Sequence, residues 1–138
     1  ATGRSVLAAQ VMGADLAYIG SPFIATREAN AVKSYKRMIA ESNADDIVYS
    51  SLFTGVHGNY LKPSIRLAGL DPENLPDSDP SNMNFSSCEH RPKSWKDIWG
   101  SGQGIGAIKD VTSTKELIDR FAEQYAEASQ SIKGIIYG

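Results

Sequence analysis

The sequence is short of several things that would place it in a specialised class. Cysteine is nearly absent: Cys88 is the only one in 138 residues, so no disulfide can form within the chain, in keeping with a reducing cytoplasm. One cysteine and two histidines also fall short of the four ligands of a structural zinc site, although Cys88 and His90 stand two apart. Charge of one sign is lacking as well. With 14 basic and 16 acidic residues and a formal net charge of -2, nothing steers the chain to nucleic acid or to an anionic membrane. No apolar run reaches the ~18 residues a transmembrane helix needs, and the basic stretch and apolar core of a signal peptide are missing. What remains is ordinary for one globular domain, 41% hydrophobic and 22% charged.

The first fifty residues read as alternating helix and strand. Arg4 to Met12 carries Val6, Leu7 and Val11 on one side of a helix, and Gly13 follows as its stop. Leu16-Ala-Tyr-Ile19, closed by Gly20, is an apolar run of strand length. Thr26 suits the N-cap of a helix reaching about Glu41, with Ala29, Val32, Tyr35 and Ile39 at helical spacing. Ile47-Val-Tyr49 reads as a second strand. Helix, strand, helix, strand is the order of a parallel α/β fold.

The middle breaks this order. Four of the six prolines (Pro72, Pro76, Pro80 and Pro92) fall between Gly69 and Lys96 among many Ser, Asn and Asp. Each removes a backbone donor and turns its predecessor away from helix, so a long loop is expected there. The tail recovers order. Ser113-Thr-Lys-Glu116 fits a capping box, and Leu117, Ile118, Phe121, Tyr125 and Ala128 mark one helix face. Two short strands make a marginal sheet by themselves, so the sequence reads as a fold entered part-way.

Chemistry is concentrated at Gly20-Ser21, at the C-terminal end of the expected strand, where parallel barrels keep their active sites. Glycine admits a phosphate close to the backbone and Ser21 adds a hydroxyl. A plain strand-to-helix turn has the same composition.

The order of these motifs resembles the nitronate monooxygenase family, once called 2-nitropropane dioxygenases. Gly3-Arg4, Gly13-Ala-Asp15 and Gly20-Ser-Pro-Phe23 follow one another as in the last βα unit of that family. The likeness continues through Glu28, Tyr35-Lys36, Asp45 to Tyr49 and Phe53-Thr-Gly55, and Trp99 to Ile108 looks like the family's Ala-Gly-Gln loop near the flavin. The resemblance implies an α/β chain: the C-terminal portion of a TIM (β/α)8 barrel plus the small, mostly helical C-terminal domain. It divides the chain into the last βα unit (1–45), small-domain strand and loops (46–112, proline-rich at 69–96) and the C-terminal helix and tail (113–138). It implies FMN as cofactor, with Tyr18, Ile19, Gly20 and Ser21 at its phosphate and Gln103 near the cofactor or substrate. The expected reaction is oxidation of a small-molecule nitronate by O2 to a carbonyl compound and nitrite. No nucleic acid or membrane partner is expected.

Departures bear on that expectation. The family's Gly-Gly-Ile strand and its catalytic histidine belong to earlier barrel segments, so a partner is implied, the N-terminal part of the barrel, and no catalytic residue is assigned here. Where relatives often read Gly-Arg-Pro after Phe-Thr, this chain has Gly55-Val-His-Gly58. Two other readings stay open: an FMN-dependent NAD(P)H:quinone or enoyl-thioester reductase, and a non-catalytic fragment or subunit completed by a partner chain.

Among single residues, His57 has the titration range of a general base but no visible partner, so a solvated loop histidine is expected. Gly100 to Gly106 fails the dinucleotide pattern, because the sixth position is Ile105 and no strand precedes it. Trp95 and Trp99 are four apart and read as core.

Overall fold

The computed structural model describes residues 1–76 and 97–137. These form two compact units, Ala1–Ala40 with Ala107–Gly138, and Glu41–Gly106. Of the prolines, tryptophans and candidate ligands read from sequence, Pro80, Cys88, His90, Pro92 and Trp95 lie outside the described residues. No helix among the described residues is long and apolar enough to cross a membrane.

The first unit is helical. Helix α1 (Gly3–Val11) starts at Thr2, whose side chain accepts from Ser5 N–H while Ser5 Oγ accepts from Thr2 N–H, so both orphan donors are met. It stops where expected. Gly13 takes φ 99°, its N–H donates to Gln10 O, and Ala14 N–H donates to Ala9 O. That is the Schellman arrangement, and glycine enters its left-handed position without steric cost.

Next comes α2 (Ser21–Ile24), a single turn, then α3 (Lys33–Glu41). The expected helix from Thr26 is therefore corrected. Thr26 donates its hydroxyl to Phe23 O at 2.8 Å and bridges Thr112 in parallel, and Arg27 N–H donates to Thr112 O. A residue tied into that bridge cannot serve as an N-cap, so the helix begins seven residues later, at Lys33.

The last helix, α5 (Thr114–Tyr137), has the capping box read from sequence: Ser113 N–H donates to Glu116 Oε2 and Glu116 N–H to Ser113 Oγ. Leu117 and Ala128 are buried on its inner face, and Phe121 and Tyr125 half-buried. Ile118 was expected there and is exposed, because it stands one residue round from Leu117.

α1 packs on α5 at unusually short range. A Cβ placed on Gly3 would lie 2.0 Å from Phe121 O and 2.5 Å from Tyr125 N. Gly3 N–H donates to Gln124 Oε1 at 2.9 Å, and Tyr125 OH to Gln10 Oε1 at 2.6 Å.

The segment after α2 is fastened to the start of α5 by carboxylates. Glu116 Oε2 accepts from Thr112 Oγ1, Ser113 N and Oγ, and Arg27 at 2.6–2.8 Å, and Glu28 accepts from Thr114 N–H. Negative charge at a helix N-terminus is favourable. The hydroxyl of Thr112 first, then Ser113, hold the Glu116 carboxyl down at about 2, against 4.5 ordinarily. A lowered folded-state value means that this contribution is complete above about pH 4.5 and disappears as pH falls through about 2. Glu116→Gln should therefore flatten the fall of melting temperature between pH 5 and pH 2, and parallel curves for the two proteins would contradict this.

The second unit is built on a hairpin. Asn43 caps a 3-10 turn (Ala44–Asp46) that leads into β1 (Ile47–Ser50), paired antiparallel with β2 (Gly58–Leu61) in the register Ile47↔Leu61 to Ser50↔Gly58. β1 was foreseen and β2 was not. The expected parallel grammar is corrected too, since the two strands among the described residues are antiparallel neighbours. The other edge of β2 is covered by residues 99–101: Leu61 N–H donates to Trp99 O, Ser101 N–H to Asn59 O, and Tyr60 bridges Gly100.

Helix α4 (Lys62–Leu67) follows with Pro63 in its first turn, where a missing N–H costs nothing. Buried Ser64 ties it back, donating to Leu61 O and accepting from Trp99 N–H. Tyr60, Ile65 and Ile98 form the core here, with Val48, Phe53, Ala68 and Leu75 packed against it. Phe53 meets Tyr60 edge-on at 4.8 Å. Residues 69–76 form no helix or strand, as their prolines predict, and 77–96 lie outside the described residues.

Candidate functional site: the Gly20–Ser21 turn

Between Gly13 and Gly20 the backbone forms no helix or strand, so the expected Leu16–Ile19 strand is corrected to a loop. Leu16 is 90% and Tyr18 fully exposed, while Ile19 is half-buried. The cause is pairing. A strand needs neighbours for its N–H and C=O groups, and β1 and β2 pair with each other instead.

Gly20 caps α2 with φ -110° and ψ -63°. Its carbonyl accepts from Phe23 N–H at 3.0 Å and Ile24 N–H at 3.3 Å, and Pro22 has no N–H to offer. An anion at this turn would therefore lie beside Gly20, clear of the amides of Phe23 and Ile24. The approach is open, since a Cβ on Gly20 would touch nothing within 4 Å. Pro22 is buried, and Phe23 meets Phe121 edge-on at 6.4 Å, so the turn is anchored from behind against α5.

A shallow cleft beside Pro22 is lined by Thr2, Ile108, Leu117, Arg120 and Phe121. Arg120 is held by both oxygens of Asp110 at 3.1 and 3.3 Å, and this pairing raises its already high pKa. The cleft thus presents a closed ion pair.

In the second unit, Gln103 is exposed at the start of a 3-10 turn (Gln103–Ala107). His57 is exposed and stacks on Tyr49 at 4.9 Å, the arrangement of a surface loop histidine. Trp99 is half-buried. Among the described residues no group of three or more His, Cys, Asp or Glu is placed to hold a metal. Sequence reasoning passed over Ser101, whose Oγ is buried without a hydrogen-bond partner. Composition carries no signal for that state, because burial of a serine in a glycine-rich loop depends on tertiary contacts.

No protein-family model matches the chain. A probable nitronate monooxygenase of Bacillus subtilis (strain 168) is 27% identical over 129 residues, covering 88% of this chain and 36% of the relative. A second, from Staphylococcus haemolyticus (strain JCSC1435), is 23% identical over 128 residues, again 88% of this chain and 35% of the relative.

In sequence the chain is similar to these two probable nitronate monooxygenases.

It spans about a third of the length of those curated nitronate monooxygenases. Among solved structures it is similar to FabK from Thermotoga maritima, with TM-score 0.66, 20% identity, and coverage of 98% of this chain and 44% of FabK. A point mutant of FabK matches with TM-score 0.68, at 98% and 42% coverage. The likeness is one of fold.

Proposed function

We propose that this chain forms part of the FMN site of a flavin-dependent oxidoreductase that converts nitronates, with O2, to carbonyl compounds and nitrite. The observation that carries the reading is the Gly20–Ser21 turn, anchored behind by Pro22 and Phe23, with open space where a Gly20 side chain would stand. The nitronate monooxygenase relatives give it its chemistry. Gly20 and Ser21 are assigned to the phosphate, with Tyr18 and Ile19 beside it. Gln103 is carried forward, on the resemblance, as a cofactor-binding residue of the second unit. Bound FMN would supply the electron transfer, while the chain holds and orients it.

The same reading accounts for the exposed loop before the turn. Leu16, Ala17, Tyr18 and Ile19 are apolar or aromatic in unbroken succession, and Leu16 and Tyr18 are exposed. That is the composition of a strand buried on two sides in a parallel sheet. The segment is a loop among the described residues, and its apolar composition is the feature that the barrel reading uses.

The test is flavin binding. Purified protein should show visible flavin absorbance or acquire it with added FMN, and a sample that stays colourless sinks the reading. Ser21→Ala should weaken FMN by about 1 kcal/mol, the worth of one such hydrogen bond. Equal affinities in a fluorescence titration would remove Ser21 from the site.

A further inference from the structure

Among the described residues Lys36 is the buried charged side chain of the first unit, 8% exposed and one turn before Ile39 on the inner face of α3. Lysine is seldom buried so far, because its ammonium gives up hydration and its stem gives up rotamers. What it gains is a bond to the main chain: Nζ donates to Arg27 O at 3.1 Å. A charged donor makes a stronger hydrogen bond than a neutral one.

The backbone of Arg27 is thereby satisfied on both sides, since its N–H donates to Thr112 O. From Arg27 an unbroken run of hydrogen bonds leads back to the candidate site. Thr26, 2% exposed, donates its N–H at 3.2 Å and its hydroxyl at 2.8 Å to Phe23 O. Phe23 N–H in turn donates to Gly20 O at 3.0 Å. Residues 28–32, between Arg27 and α3, form no helix or strand, and Lys36 bridges over them. The side chain of Arg27 is tied to Glu116, but both ends of that pair are more than half exposed and solvent screens it.

We propose that Lys36 is a positioning residue for the Gly20–Ser21 turn: by holding the Arg27 carbonyl it fixes residues 23–27, and with them the place at which the turn meets a phosphate. This rests on the flavin reading above for the phosphate, and it deepens that reading by naming a residue that acts through Arg27.

Lys36→Met keeps the straight stem and removes the ammonium. In the flavin-free chain, amide exchange at Phe23 and Thr26 should quicken about 10-fold, as for loss of one hydrogen bond to a charged group, while exchange at Leu61, in the second unit, stays as in wild type. In fluorescence titrations the variant should bind FMN about 10-fold more weakly and riboflavin, which lacks the phosphate, as wild type does. The loss should be the same at low and at high salt, and Lys33→Met, which removes an exposed charge from the same helix, should leave both affinities unchanged. Unchanged exchange at Phe23 overturns the proposal. So does an unfolded variant or an equal weakening of both flavins, either of which would assign Lys36 to the fold at large. A loss that vanishes at high salt overturns it too, by making Lys36 a direct electrostatic partner of the phosphate. If the wild-type chain binds neither flavin, the flavin reading falls, and exchange at Phe23 alone decides whether Lys36 holds the turn.

Discussion

Replacing Gly3 by alanine is expected to destabilise the chain by about 3 kcal/mol, near the upper end of overpacking effects. Two contributions oppose each other. Glycine to alanine inside a helix ordinarily gains up to about 1 kcal/mol, because alanine has less backbone freedom to lose. Here the new methyl would stand 2.0 Å from Phe121 O and 2.5 Å from Tyr125 N, and both are backbone atoms of α5 that no rotamer change can move. The two helices must separate, and the Gly3 to Gln124 and Tyr125 to Gln10 hydrogen bonds stretch with them. The steric cost wins. At about 4 °C per kcal/mol for a chain of this size, the melting temperature should fall by roughly 10 °C. Ala8→Gly, in the same helix but exposed, gives the propensity effect without the clash. A Gly3→Ala protein as stable as wild type would mean that α1 does not approach α5 in this way.

The second large effect is expected at Ile65. Its side chain is fully buried against Tyr60 and Ile98. Truncation to alanine removes three carbons from a site ringed by Val48, Phe53, Ala68 and Leu75. Isoleucine-to-alanine changes of this kind cost about 2–5 kcal/mol, the spread reflecting how far the surroundings collapse. A value near 3 kcal/mol is expected, because Tyr60 is held by Phe53 and by its hydroxyl contact with Thr54 and has little room to relax. Amide exchange at Tyr60 and Leu61 is the local readout, since these residues carry β2 between β1 and residues 99–101. Exchange as slow as in wild type would contradict the placement of Ile65 in this core. Leu67→Ala, on the exposed face of the same helix, should change little.

Local features were the legible ones. The Ser113–Glu116 box and the Gly13 stop lie within a few residues of the groups that satisfy them, and the residue types name the partners; β1 was legible from its β-branched and aromatic residues alone. Thr26 shows where that reasoning ends. Its type suits an N-cap, yet the hydroxyl turns to Phe23 O and the backbone to Thr112, a residue 86 positions away. β2 was missed for a related reason. Gly58 and Asn59 are poor strand formers, and the strand exists because both of its edges find partners. Leu16–Ile19 failed in the opposite direction. Its composition asks for burial but names no partner, and among the described residues the segment has none in a sheet. The candidate site was half legible: Gly20 and Ser21 could be singled out by type, whereas the buried hydroxyl of Ser101 could not.

The sequence by itself determined the helix caps, the inner face of α5 near Leu117 and Ala128, the likeness to nitronate monooxygenases, and the absence of the cysteine and histidine a zinc site would need. Tertiary structure alone decided that Gly3 is a contact point between helices, that residues 26–28 are fastened to the start of α5, and that the two strands run antiparallel. The division has one physical cause. Capping and turn formation are settled between neighbours a few residues apart, but a strand, a close helix crossing or a buried hydroxyl is defined by atoms far along the chain, and a residue's type does not say which of those will arrive.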